Sequence, residues 1–288
     1  MKNLNFDLKQ MCQRNHDGSF ATRADRERML SLMANTLAQL GYGHMSAQSL
    51  RTKHVEALVL HWQQQGLNAG SIKNRMTALR WWAEKVNKQN VVKRTNAEYG
   101  IGNRVFVTNA SKSITVDGAQ LARVTDPFAR ASLLLEAAFG LRREESIKII
   151  PARADGGDRL CLSASWTKGG KARVIPITTQ AQRDALDNAK RVAGRGSLIP
   201  QALRYRDQLQ KFRYQCELAG ISHVHGLRHR YAQDRYLALT GWKCPADGGP
   251  LARQLSADQK ARDRAARLAI SEEMGHYREQ ITALYCGR

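Results

Sequence analysis

The sequence predicts a mainly helical protein with one small antiparallel β-sheet, an α+β arrangement spread over two basic domains. Three observations predict it. Apolar residues recur at three- and four-residue steps through most of the first 94 positions, the period of helices with one buried face. The stretch 94–115 (RTNAEYGIGNRVFVTNASKSIT) loses that period and is rich in Asn, Ser, Thr and Gly, as a connection is. Beyond it helical patterns return, interrupted once by β-formers on either side of a Gly-rich turn.

Taken in order, Leu30, Met33, Leu37 and Leu40 form the first apolar stripe, and Gly41 stops it. Val55, Leu58, Val59 and Trp62 form the second, stopped by Gly66. Asn68 can cap a third helix with the stripe Ala69, Ile72, Met76, Leu79, Ala83 and Val86, whose other faces carry Lys73, Arg75, Arg80 and Lys85. A helical domain is expected over 1–94, a linker over 95–111 and a second domain over 112–288. Residues 128–150 read as two buried helices broken at Gly140. Arg159–Ser163 and Lys171–Ile177 read as strands of a hairpin around WTKGG. Helical patterns follow near 179–193, 201–219, 226–239, 257–274 and 278–285.

Charge narrows the class of partner. Lys and Arg number 46 against 25 Asp and Glu, a net +21, with +9 before residue 109 and +12 after it. A basic tail would suggest a tether; two basic domains suggest that both touch one polyanion, with nucleic acid as the natural candidate. A membrane surface fits less well, because no helix joins a wide Trp/Leu face to a dense Lys face. No apolar run approaches the length of a bilayer span, and MKNLNFDLKQ lacks a signal-peptide core, so a cytoplasmic protein is expected. Cys12, Cys161, Cys216, Cys244 and Cys286 are scattered without a C-x-x-C pair, against a disulfide framework or a zinc site.

Four clusters in the second half carry chemistry. Arg142 and Glu145 in GLRREE share a helix face, so the carboxylate can orient the guanidinium. Lys168 sits in the turn TKGGK, where a lysine can reach a cleft and protonate a leaving oxygen. His225 and Arg228 in HGLRHR share a face at a helix start. Met274-Gly275-His276 is followed nine residues later by Tyr285 in TALYCG. Alone, each has an ordinary reading: a surface ion pair, a glycine turn, a chance His-x-x-Arg, a packed aromatic.

In this order the four resemble the active-site set of the tyrosine recombinases, the phage integrase family. The resemblance rests on Gly-x-Arg-x-x-Glu, a hairpin lysine, His-x-x-Arg and Gly-His followed by Tyr, and covers about 112–288 as catalytic domain. The helical 1–94 matches in kind the family's SAM-like core-binding domain. The resemblance implies an integrase of a phage or integrative mobile element, bacterial or phage-encoded and nucleoid-associated. Tyr285 would be the nucleophile, leaving a 3′-phosphotyrosyl link that retains bond energy for rejoining. Arg142 and Arg228 would bind the non-bridging oxygens, since guanidinium forks suit a phosphate. Lys168 would act as general acid, His225 and His276 would assist proton transfer, and Glu145 would support Arg142. Lys73, Arg75, Arg80, Lys171 and Arg173 would contact DNA. No metal or cofactor is required. The partners implied are double-stranded core sites, a homotetramer on paired sites, and accessory DNA-bending or directionality proteins, with no membrane.

Two departures from the family pattern carry expectations. Arg228 and His276 stand 48 residues apart, with the excess in the insertion 240–262 (TGWKCPADGGPLARQLSADQKAR), expected as a surface loop. The sequence ends three residues after Tyr285, so the ordering of the tyrosine is expected to fall to the site, to DNA or to a partner subunit, with the insertion as a substitute for a tail. Residues 1–20 are too short for a further arm-site domain, which leaves core sites clamped between the two domains. A type IB topoisomerase-like relaxing enzyme stays open, as does a DNA-binding protein that has lost catalysis. Relaxation by a monomer without a specific site would mark the first, and absence of any covalent adduct the second.

Overall fold

Helix capping and apolar periodicity build most of the elements. The computed structural model describes residues 3–276 and 278–288. Contacts divide the chain into two compact units, Met1–Val105 and Phe106–Arg288. In the first, α1 (Leu4–Arg14), α2 (Phe20–Gln39), α3 (Thr52–Gln64) and α4 (Ala69–Lys85) surround one core. Asn3, Ser19 and Asn68 cap α1, α2 and α4, each side chain accepting a backbone N–H of the first turn. The expected stripes meet: Leu30, Met33 and Leu37 pack with Leu58, Trp62, Met76, Leu79 and Trp82. Trp82 donates its indole N–H to the Ala47 carbonyl at 2.9 Å. Leu40 leaves the stripe, because α2 ends before it.

Two features lie outside the sequence reading. Helix α1 was not anticipated, although Leu4, Leu8 and Cys12 recur every four residues and are buried. Tyr99 and Ile101, inside the stretch read as linker, belong to this core, and Gln63 donates to the Tyr99 carbonyl at 2.9 Å.

The second unit contains α5 (Gly118–Arg123), α6 (Pro127–Phe139), α7 (Arg143–Lys148), α8 (Pro151–Ala154), β1 (Arg159–Leu162), β2 (Arg173–Pro176), α9 (Gln180–Ala193), α10 (Tyr205–Leu218), α11 (Gly226–Thr240), α12 (Ala257–Glu273) and α13 (Glu279–Cys286). Helix α6 is central: Ala131, Leu135 and Phe139 face one core, Ala129 and Leu133 another. The strands pair antiparallel with Leu162 opposite Arg173 and Arg159 opposite Pro176. The first strand starts at Arg159 as expected and ends one residue early, and the second starts two residues later than the β-former pattern suggests, so Lys168 and Lys171 ride on a loop of residues 163–172 rather than a tight hairpin.

Gly140 ends α6 at φ +59°, and a Cβ there would stand 2.5 Å from the Tyr231 ring, so both conformation and space demand glycine. The insertion departs from the expected surface loop in its middle. Cys244 and Ala246 are buried against Tyr285 and Cys286 of α13, because a short turn at Pro245–Asp247 folds its apolar residues onto the helix. Among the described residues, no helix is long and apolar enough to cross a membrane.

Candidate active site

The functional side chains sit at helix ends and in the loops between elements: Arg142 and Arg228 at the starts of α7 and α11, Tyr285 near the end of α13, and Lys168 and His276 in connections. Arg228 lies in the first turn of α11 and is 1 % exposed. Its guanidinium donates through Nη1 to the Gly140 carbonyl and through Nη2 to the Met274 carbonyl at 2.5 Å. Its Nε donates to the Tyr285 hydroxyl at 3.4 Å, and Nη2 lies 3.4 Å from His276 Nε2. Burial pulls its pKa down to about 10, which still leaves a cation at neutral pH.

Arg142 is the N-cap residue of α7. Its backbone N–H donates to Glu145 Oε2 at 2.8 Å and its Nη1 to Oε1 at 2.7 Å. Glu145 is fully buried. Burial alone would raise its pKa, but hydrogen bonds and charge from Arg173, reinforced by Arg142, hold it near 2.

Tyr285 is 7 % exposed, and three imidazoles surround it. His276 stacks at 5.7 Å between ring centroids and 16°, His229 lies at 4.7 Å, and His225 at 6.1 Å. Gln233 fixes the tyrosine backbone, donating to its carbonyl at 3.0 Å. Burial first, then Arg228 and Arg142, push the His276 pKa down to about 3. Burial likewise takes His229 to about 4 and lowers His225. The Tyr285 ring therefore has neutral imidazoles around it and the Arg228 cation beside its hydroxyl. Lys168 is exposed and lines a cleft of about 360 Å³ with Glu136, Arg142, Glu145, Tyr205 and His225.

No curated protein registers as a match. The phage integrase N-terminal family model matches residues 1–92, and the integrase family model matches 104–234. The chain belongs to the phage integrase family. The second match ends before His276 and Tyr285. Solved structures similar in fold extend over that remainder. A lambda integrase dimer bound to a COC′ core site is 15 % identical, with 99 % of this chain and 95 % of that one covered and a TM-score of 0.60. The Tn1549 transposon integrase in complex with circular intermediate DNA is 13 % identical, with 100 % and 96 % covered and a TM-score of 0.53. A lambda integrase tetramer bound to a Holliday junction is 15 % identical, with 96 % and 76 % covered and a TM-score of 0.56.

One residue of the anticipated set needs correction. Arg173 was expected on a DNA-facing surface, yet its side chain is 2 % exposed and committed to Glu145 and to the end of α12. The strand pleat turns it inward, where a buried carboxylate pairs with it. In the first unit, Lys73 reaches Asn103 at 3.5 Å, Arg75 lies over the Trp62 ring, and Arg80 donates to the Lys93 carbonyl at 3.4 Å. Sequence reading missed His229, four residues after His225 on the same helix and therefore on the same face. It also missed Gln233, one further turn along, and Glu136, buried against Ser146 with its pKa raised to about 8 by burial.

Proposed function

We propose that this chain performs site-specific DNA recombination, cutting and rejoining strands with Tyr285 as nucleophile. The observation that carries the reading is the Tyr285 hydroxyl held beside Arg228 Nε, with His276, His229 and His225 around its ring. A phosphodiester entering this pocket meets donors already in place, and preorganised charge is the main resource for phosphoryl transfer. Arg228 and Arg142 stabilise the non-bridging oxygens. Each Nη of Arg228 has a second N–H beyond the one given to a carbonyl.

Tyr285 Oη attacks phosphorus in line. The P–Oη bond forms and the P–O5′ bond breaks, leaving a 3′-phosphotyrosine and a free 5′-hydroxyl. Lys168 gives its proton to the departing 5′-oxygen, and the tyrosine proton leaves through the imidazole cluster to solvent, the low pKa of His276 making it a relay that passes the proton on rather than a base that keeps it. Rejoining reverses the step with an incoming 5′-hydroxyl. Lys73, Arg75, Arg80 and Lys171 bind the DNA backbone, so that each of the two domains contributes cations to binding a core site. Four copies act on paired sites, a reading supported by the lambda integrase tetramer on its junction. The work is done in the cytoplasm.

Nicked duplexes with a randomised core, incubated with the full chain and trapped in detergent, test the proposal. A covalent adduct is expected for the wild type and none for Tyr285→Phe, with DNA binding retained; sequencing the junction then gives the site. An adduct that survives Tyr285→Phe removes Tyr285 as nucleophile.

A further inference from the structure

We propose that Arg173 is a positioning residue for the cleavage reaction, acting through Glu145 on Arg142; this rests on the functional reading above. All three guanidinium nitrogens of Arg173 are engaged. Nη1 donates to Glu145 Oε1 at 2.9 Å, Nη2 to Oε2 at 2.6 Å, and Nε to the Glu273 carbonyl at 2.8 Å. Glu145 Oε1 accepts from Arg142 Nη1 at the same time, so the carboxylate stands between two guanidiniums, one buried and one facing the cleft. A bidentate fork sets both the position and the plane of that carboxylate, which a single ammonium cannot do.

The same residue ties together segments far apart in the chain. Arg173 opens β2, the strand that closes the loop bearing Lys168. Its bond to Glu273 is made just before Met274, whose carbonyl holds Arg228, and His276, which stacks on Tyr285. Gly275, at φ +70°, lies directly over it: a Cβ there would come within 3.1 Å of Arg173 Cδ and 3.3 Å of Nη1. The glycine of the Gly-His pair is thus shaped by the arginine beneath it. Arg173 thereby sets the spacing between Arg142 and the turn that carries His276, and it does so from a place DNA does not reach.

The test compares Arg173→Gln, Glu145→Gln and the double variant in the full chain, by adduct formation on saturating nicked duplex. Each single change is expected to slow the adduct step at least about tenfold with binding altered less than about threefold, and the double to be no slower than Glu145→Gln alone. Losses that multiply in the double variant, weakened binding with an unchanged saturated rate, or no loss would each overturn the proposal. Arg173→Lys, compared by urea unfolding, covers a Gln variant that does not fold. Freed of the fork, Glu145 rises from its low pKa, so the rate for the lysine variant gains an acid limb absent in the wild type; a profile unchanged in shape counts against the idea. Phenylglyoxal labelling of Arg142, followed by mass spectrometry without DNA, is expected to speed up several-fold in Arg173→Gln. Faster labelling with no wild-type adduct would sink the recombinase reading alone, whereas unchanged labelling sinks the role of Arg173.

Discussion

A fully buried arginine is costly unless its donors find partners, and Arg228 gives one N–H from each of its three nitrogens to two backbone carbonyls and the Tyr285 hydroxyl. Those carbonyls belong to Gly140 and Met274, the ends of α6 and α12, so one side chain reads the position of both. Arg228→Lys keeps the charge but not the fork. One ammonium cannot reach all three acceptors, and each buried carbonyl left without a donor costs about 1–3 kcal/mol. Adduct formation is expected to fall about a hundredfold, alongside a lower urea midpoint. A saturated rate within threefold of wild type would show that Arg228 is dispensable to the step.

At the scale of elements, the last helix is held by its own chain. Gln233 holds the Tyr285 carbonyl, the Thr282 hydroxyl donates to the Arg267 carbonyl, and Arg267 Nη1 donates to the Gly287 carbonyl at 2.9 Å. The turn at Pro245–Asp247 closes over the helix end. Gly287, at φ +73°, fits so closely that a Cβ would stand 2.6 Å from Asn109 Oδ1 and 2.8 Å from the Ala246 nitrogen. Gly287→Val is therefore expected to lift the end of α13, with strain of about 1–3 kcal/mol appearing as a roughly tenfold slower adduct step. Limited proteolysis near residue 280, faster than in wild type, checks where the strain goes; unchanged rates and cleavage would show that the insertion does not brace the tyrosine. Nothing in GWKCPADGG announced this docking. Its Gly and Pro residues mark a loop, and only the fold brings Cys244 and Ala246 against Cys286.

For the molecule as a whole, the buried titratable groups set how stability follows pH. His229 and His276 have folded pKa values of about 4 and 3, below the ordinary 6.5, so the unfolded chain takes up protons that the folded one refuses as pH falls below 6.5. Their effect is to lower stability on acidification. Glu136 acts in the opposite sense: protonated in the fold up to about pH 8, it loses its stabilising share as pH rises from 4.5. Two imidazoles outweigh one carboxyl between pH 6.5 and 4.5, so the urea midpoint is expected to fall across that window. His229→Gln with His276→Gln should make the slope shallower, His225 still acting in the same sense, and a wild-type midpoint that climbs on acidification would contradict the balance. The sequence by itself determined the helical stripes, the caps, the two basic halves and the order of Arg142, Lys168, His225, Arg228, His276 and Tyr285, because those signals are local in spacing or additive in composition. Which cation faces the cleft and which braces it was decided only by tertiary structure. Arg142 and Arg173 are alike in sequence, and their roles part because one ends at a helix N-cap on the cleft while the other turns inward from a strand onto Glu145 and onto a carbonyl 100 residues away.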